Sequence, residues 1–177
     1  MPVFVALIRA INVGGTGMLP MPELRVLCEA ADFQNVRTYI QSGNVVLESE
    51  LSEANVKERL EEALTKKLGK KVDVMVRTGP ELFALLEKNP FPDAPPAKVA
   101  VIFLAGSAPR KSEIEHLTGV AGEQVRAGKR EVYVYYPEGM GRSKLKLPAS
   151  ISTGTARNIN TVARLAAMSN ARSSIRH

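Results

Sequence analysis

The carboxyl-terminal part of the sequence concentrates positive charge. Residues 139–177 contain seven lysines and arginines and no aspartate or glutamate, and the whole chain has a net charge of +6. This stretch could be a solvated basic face with a frayed tail, but because no acid within it neutralises the charge, we expect it to attract an anionic partner. Guanidinium and ammonium groups favour phosphate recognition. The seven residues are Arg142, Lys144, Lys146, Arg157, Arg164, Arg172 and Arg176.

Arg157 is the most informative of these cations. The apolar residues that follow it recur at helical spacing and predict a helix over about 156–168. Arg157 would then lie in the first turn, where the helix dipole disfavours a cation by about 0.3–1 kcal/mol. A bound anion would remove that conflict, because N–H groups, dipole and guanidinium would act together. The apolar positions are Ile159, Val162, Ala163 and Ala166.

A glycine-rich loop follows the first predicted strand. Gly14 and Gly15 come after Asn12, and Arg9 stands near the end of the strand. The loop lacks the third glycine of a dinucleotide fingerprint and the Gly-Lys-Ser/Thr ending of a P-loop. We therefore expect at most an anion contact through backbone N–H groups. Arg9 is costly to bury unpaired, so it must reach solvent, a carboxylate or an anion.

The sequence offers little for metal or nucleophilic chemistry. It has two histidines and one cysteine, so we expect no metal site and no cofactor. Cys28 lies on an apolar helix face and is expected in the core. Ser143 and Lys146 have the S-x-x-K spacing of penicillin-interacting serine enzymes, but the companion motifs occur in the wrong order. No catalytic residue is assigned.

The first half of the chain predicts seven helices and strands, followed by a proline-rich stretch. The apolar patterns, Gly43-Asn44 and the Thr78–Glu81 capping box predict the order β-α-β-β-α-β-α. The first six elements match the ferredoxin-like arrangement. A proline-rich stretch then follows, which cannot be helix or central strand. The predicted ranges are strands 3–10, 36–41, 45–47 and 72–76, helices 22–31, 52–68 and 78–86, and the proline-rich stretch 89–96.

The second half predicts another α+β lobe. A buried strand over 98–105, a helix over 109–117 and a hairpin over 124–136 give β-α-β-β, followed by a short helix over 142–147 and the final helix. The similar order of elements suggests a weak internal repeat. We predict an α+β protein with a ferredoxin-like lobe (1–88), a proline-rich connection (89–97) and a second lobe (98–177) of βαββ plus carboxyl-terminal helices.

Several features bear on location. No apolar run is long enough for a membrane helix, and the first residues carry no basic region typical of a signal peptide. The lone cysteine fits a reducing compartment. We expect a cytoplasmic protein with no membrane partner, and the oligomeric state stays open.

Four segments of the chain resemble the bacterial domain-of-unknown-function family numbered 1697. The resemblance covers about residues 2–170 and implies a two-lobed α+β fold, without an established activity, substrate or cofactor. Ala10 stands where glycine is usual, and Ile159 where an aromatic is usual. The four segments are 6–15 (ALIRAINVGG), 39–45 (YIQSGNV), 141–145 (GRSKL) and 157–162 (RNINTV).

The polar positions of these motifs form the candidate site. We hypothesise that they converge on a cationic cleft between the lobes, because packing alone would not need them. The ligand would be a phosphate-bearing small molecule or single-stranded nucleic acid. The candidate residues are Arg9, Asn12, Gly14, Gly15, Ser42, Asn44, Arg142, Ser143, Lys144, Arg157, Asn158 and Asn160.

Three further hypotheses remain open. A phosphoryl- or acyl-transfer enzyme could use the same cations, although the motif segments contain no histidine or carboxylate to act as a general base. A protein-interaction module could use them for an acidic partner. Tyr133 and Tyr135 share one face of a predicted strand and could stack bases, although ordinary cross-strand packing is the stronger expectation.

Overall fold

A computed structural model describes residues 1–9, 19–40, 43–117, 119 and 121–171. It confirms the α+β class, with two four-stranded antiparallel sheets. The chain divides into two compact units. The first joins Met1–Leu82 with the chain from Leu165 onward, and the second is Phe83–Arg164. The predicted ranges 1–88, 89–97 and 98–177 stay a prediction. Among the described residues, no helix combines the length and hydropathy that crossing a membrane requires.

The first sheet has the ferredoxin-like strand order β2-β3-β1-β4, as predicted. All three of its pairings are antiparallel. The elements are β1 (Val3–Ile8), α1 (Met21–Ala30), β2 (Gln34–Tyr39), β3 (Asn44–Glu48), α2 (Glu53–Leu68), β4 (Val74–Thr78) and α3 (Gly79–Glu87).

Local capping signals fix where the helices of this unit begin. Ser52 Oγ accepts the Asn55 N–H at 3.2 Å and caps α2. Thr78 and Glu81 form the predicted capping box, in which each side chain accepts the other residue's backbone N–H. The amino ends of α2 and α3 are therefore set by the sequence itself.

One face of the first sheet packs against α1 and α2. Alternate residues of β1 contact apolar residues of both helices, including the fully buried Cys28 and Leu60. Burial raises the pKa of the Cys28 thiol to about 12, as expected for a core cysteine rather than a reactive one. Cys28 is therefore a packing residue.

The second sheet repeats this topology, with the strand order β6-β7-β5-β8. Its core gathers apolar residues of β5, β6 and β7 with Ile114 and Ile151 from two short helices. The elements are β5 (Val99–Phe103), α4 (Lys111–Ile114), β6 (Gln124–Ala127), β7 (Glu131–Tyr135), α5 (Ala149–Ser152), β8 (Thr155–Asn158) and α6 (Ile159–Ala171), with short 3-10 helices at Pro96–Lys98 and Met140–Arg142.

Three predictions for this unit were wrong. The helix expected over 109–117 is only the single turn α4, after which the Leu117 N–H bonds to the Ile114 carbonyl. The helix expected over 142–147 is absent, since only Met140–Arg142 is helical. The lobe is not βαββ followed by helices alone, because β8 pairs with β5 and completes a fourth strand.

The repeat extends from topology to individual residues. On the sheet face opposite α1 and α2 in the first unit, and opposite α4 and α5 in the second, each edge strand carries an arginine in the same cross-strand row. Three of these four arginines donate Nη1 to the carbonyl of the preceding residue. The rows are Arg37–Val46–Val5–Arg77 in the first sheet and Arg126–Tyr133–Val101–Arg157 in the second.

The carboxyl end of α6 is held by β2 of the first unit. Arg37 Nη2 donates to the Met168 carbonyl at 2.9 Å. The last turn of α6 contains no basic residue of its own. Arg37 therefore supplies the positive charge that a helix carboxyl end favours.

Replacing Arg37 with alanine should lower the free energy of unfolding by about 1–2 kcal/mol, because a charged hydrogen bond to a helix carbonyl is lost. Denaturant unfolding measures the loss, and amide exchange should rise selectively in residues 165–170. Arg25→Ala is the matched control, since Arg25 is exposed and its contact with Glu29 is 3.7 Å. An equal effect of both variants would contradict this role of Arg37.

Candidate functional site

Six of the twelve candidate residues precede residue 139, and the structure describes two of them, Arg9 and Asn44. Asn12, Gly14, Gly15 and Ser42 lie outside the described residues. Arg9 follows β1, is half-buried and donates its backbone N–H to the Asp73 carbonyl. Asn44 is fully buried and donates Nδ2 to the Tyr39 carbonyl at 2.9 Å, which closes the β2–β3 hairpin. The predicted convergence of all twelve stays a prediction.

The other six candidates belong to the second unit, and two of them, Asn158 and Asn160, lie at one end of its sheet. Strand register defines this end: Val99 at the start of β5 lies opposite Tyr135, the last residue of β7. Ala100 lies opposite Asn158, the last residue of β8. The beginning of α6 therefore meets the same sheet end as the connection that leaves β7.

Two exposed cations lie at this end. Lys98 directly precedes β5, and its carbonyl accepts the Tyr136 N–H at 2.8 Å. Two successive turns then lead from Tyr136 through Gly139 to Arg142, with backbone hydrogen bonds of 2.9 and 3.3 Å. Lys98 and Arg142 are both exposed. These turns are the connection through which Arg142 follows β7. Sequence reasoning missed Lys98, which no motif marks.

The segment after Arg142 forms no regular helix or strand, and its two ends, Ser143 and Pro148, have extended backbone angles. Leu145 and Leu147 pack against the core of the unit, whereas Lys144 and Lys146 are exposed. This alternation is typical of extended chain. Ser143 Oγ accepts the Leu145 N–H at 3.1 Å. The S-x-x-K residues therefore do not share a helical face, and the leucines anchor a row of outward-facing lysines.

The placement of Arg157 corrects the sequence prediction. Arg157 lies in β8 opposite Val101, not in the first turn of a helix, so the predicted conflict with the helix dipole does not arise. Its Nη1 donates to the Ala156 carbonyl at 2.9 Å. Burial lowers the pKa of Arg157 to about 10, so the guanidinium stays charged at neutral pH.

Asn158 is the amino-terminal cap of α6. Its Oδ1 accepts the Thr161 N–H at 2.9 Å, which satisfies one of the free donors of the first turn. Asn160, in that turn, is exposed. The helix buries Ile159, Val162, Leu165 and Ala166, whereas Ala163, predicted on the apolar face, is exposed. Asn160 is therefore the amide of this pair that is open to solvent.

We call Lys98, Arg142, Lys144, Arg157, Asn158 and Asn160 the cationic sheet end. Within the described residues, Lys98, Arg142 and Lys144 form no ion pair. Glu138, exposed in the turn before Arg142, adds one negative charge nearby. Burial and the charge of buried Glu123 both raise the pKa of Tyr136, so Glu123 is a second acid at this sheet end. The three exposed cations outnumber these two acids, so the surface presents net positive charge toward solvent.

An aromatic cluster lies beside the cationic sheet end. The Phe91 and Tyr135 rings are 5.8 Å apart and tilted by 36°. The Arg126 guanidinium lies 5.8 Å from the centre of the Phe91 ring. Tyr133 is buried and donates its hydroxyl to the Leu85 carbonyl at 2.6 Å, so it packs as expected. Of the two tyrosines predicted on one strand face, Tyr133 is therefore a core residue and Tyr135 is half-buried.

A groove of about 430 Å³ runs along α1 and β2 in the first unit. Arg25 in this groove faces Glu29, and Arg37 is bound to the α6 carbonyl. The two arginines that line the groove therefore interact with other groups of the protein, and none of the twelve candidate residues lines it. Over the residues that the structure describes, no three His, Cys, Asp or Glu side chains come together as metal ligands.

Comparison with known proteins places the chain in a family. The solved structure of the conserved bacterial protein SP0830 from Streptococcus pneumoniae is 24% identical, with a TM-score of 0.76 over 94% of this chain and 98% of that chain. This likeness shows the fold. The search of curated proteins found no match. A family model described as a protein of unknown function, DUF1697, matches residues 1–133. The chain belongs to this DUF1697 family.

Proposed function

We propose that the protein binds a phosphate-bearing ligand at the cationic sheet end. The observation that carries the proposal is the group of exposed cations Lys98, Arg142 and Lys144, which have no acidic partner among the described residues. Asn160 adds an exposed amide at the start of α6. Such groups contact phosphate oxygens through charge-assisted hydrogen bonds.

The arrangement favours an extended polyanion over a single small phosphate. A site for a small phosphate gathers its donors in a concave, largely buried pocket. Here, exposed Lys144 and Lys146 follow exposed Arg142 at alternate positions, with the half-buried Leu145 and Leu147 between and after them. Two residues of extended chain span about 6.6 Å. A row of separate charges suits a chain of phosphates better than one phosphate group.

The salt dependence of binding tests this proposal. Titration calorimetry with short inorganic polyphosphate should show an affinity that falls as the salt concentration rises, because binding to the protein releases counterions from the polymer. Replacing Lys98, Arg142 and Lys144 with alanine should weaken binding about tenfold. By analogy with single-stranded nucleic acid, it should also reduce the slope of log K against log salt by about 2.

Two controls separate a local site from general charge. The Lys67→Ala/Lys70→Ala/Lys71→Ala variant removes the same charge from an exposed region of the first unit. It should leave the affinity near that of the unaltered protein. Glu138→Gln should strengthen binding, since it removes the acid nearest to Arg142 in sequence. Equal weakening by both triple variants would refute the location, and absence of binding at low salt would refute the function.

A further inference from the structure

Tyr135 is half-buried and lies at the end of β7, between Val99 of β5, which follows Lys98, and Gln124 of the edge strand β6. We propose that Tyr135, with the Arg126 guanidinium, is a base-stacking position, so that the polyanion is single-stranded nucleic acid. This inference rests on the proposed function, because the phosphates of the same strand would contact the cationic sheet end. It goes beyond that function by naming what the ligand carries besides phosphate.

Strand register places the relevant side chains on one sheet face. Gln124 lies opposite Tyr135, and Arg126 lies opposite Tyr133. Alternate residues of a strand share a face, so all four belong to the face that also carries Arg157. Tyr133 is buried and its hydroxyl is hydrogen-bonded within the protein, whereas Tyr135 is half-buried and Gln124 is exposed. The face thus presents one accessible ring with an amide beside it.

The aromatic cluster holds this ring in place. Phe91 is buried and tilted against Tyr135, which restricts the orientation of the tyrosine. The Arg126 side chain is 36% exposed, and its nearest carboxylate, Glu115, is 3.8 Å away. The Arg126 guanidinium is also held by hydrogen bonds to the Val125 carbonyl and to Gln124 Oε1. A planar cation and a tyrosine ring held in this way suit base stacking, which tolerates any base.

The position of the ring relative to the cations completes the argument. Tyr135 is the last residue of β7, and Tyr136 bonds to Lys98 while opening the turns that lead to Arg142. A base on Tyr135 would therefore have its own phosphates at the sheet end where Lys98 and Arg142 are exposed. Neither inorganic polyphosphate nor a sugar-phosphate chain without bases would use the ring.

The test compares three ligands of similar charge: oligothymidylate, an abasic oligodeoxynucleotide of equal length and inorganic polyphosphate. Competition against one fluorescein-labelled oligothymidylate, followed by anisotropy, gives all three affinities. The unaltered protein should bind oligothymidylate about 5- to 100-fold more tightly than the abasic chain. Tyr135→Leu should remove this preference and leave the affinities for the abasic chain and for polyphosphate unchanged. Tyr135→Phe, which keeps the ring, should retain the preference.

Two further variants protect the interpretation. Phe83→Leu removes an exposed ring elsewhere in the second unit and should change no affinity. If Tyr135→Leu fails to fold, Arg126→Lys keeps the charge, removes the planar group and should weaken oligothymidylate more than the abasic chain. Equal binding of oligothymidylate and the abasic chain would overturn this inference while leaving the proposed function intact. Failure of all three ligands to bind would overturn both.

Discussion

Replacing Gly154 with alanine should destabilise the protein by about 3 kcal/mol, because the new methyl group has no room. A Cβ at Gly154 would lie 2.6 Å from the Phe103 carbonyl oxygen, 2.7 Å from Ile102 Cγ2 and 2.9 Å from Leu104 Cδ2. The first of these atoms is backbone of β5 and cannot rotate away. Relief requires β8 to move away from β5, at the point where Phe103 pairs with Thr155.

Denaturant unfolding and calorimetry measure this effect, and the midpoint of thermal unfolding should fall by about 6–12 °C. Amide exchange should increase first in β8. The matched control is Gly141→Ala, since a Cβ at Gly141 would meet nothing within 4 Å. That variant should be neutral or slightly stabilising, because alanine restricts the unfolded chain. Gly154→Ala with the stability of the control would contradict the close approach of this loop to β5.

Much of the first unit could be predicted from local signals. The alternation of apolar residues, the Gly43-Asn44 turn and the caps at Ser52 and Thr78 each depend on residues close in sequence. The structure bears them out in the order of elements and in the hydrogen bonds of both caps. Local signals of this kind are sufficient because no distant contact is needed to interpret them.

The strand β8 could not be predicted in the same way. Thr155–Asn158 is four residues long and shows no alternation of apolar side chains. It is a strand because it pairs with β5, more than fifty positions earlier in the chain. The helical spacing of α6 also continues backward through Arg157, so the sequence suggested a longer helix. Pairing between distant segments overrides local propensity here.

The candidate site shows the same division. The excess of cations was visible in the sequence, and the described structure contains the exposed Arg142 and Lys144 that it predicted. Lys98 joins them only because β5 begins where β7 ends. Asn44, in contrast, is a candidate for the ligand cleft by its motif, but its side chain is buried and its amide donates to the Tyr39 carbonyl inside a hairpin. Residue type alone could not separate these two cases.

The internal repeat explains why Arg77 and Arg157 occupy matching positions. Each lies in the edge strand before a helix, and each is followed by the residue that caps that helix, Thr78 or Asn158. Three residues after the cap, the first unit has Glu81, whereas the second has Thr161. The carboxylate of Glu81 faces the Arg77 guanidinium, so the first unit places one of its own acidic side chains beside this buried arginine.

Two ion pairs in the first unit have the same nitrogen–oxygen distance and sequence spacing but differ in burial. Arg77 Nε and Glu81 Oε2 are 3.7 Å apart, as are Arg25 Nε and Glu29 Oε2, and both pairs have i,i+4 spacing. The Arg77 side chain is 1% exposed, against 61% for Arg25. Water screens the outer pair almost completely, whereas the buried guanidinium depends on what surrounds it within the protein.

We therefore expect Glu81→Ala to lower the free energy of unfolding by about 2–3 kcal/mol, and Glu29→Ala by less than about 0.5 kcal/mol. The larger loss has two parts, because Glu81 also accepts the Thr78 N–H in the capping box. Glu81→Gln keeps an acceptor for that N–H while removing the charge, so it should cost about half as much. Urea unfolding of the three variants measures these differences. Equal costs for Glu81→Ala and Glu29→Ala would show that burial of Arg77 does not strengthen its pairing with Glu81.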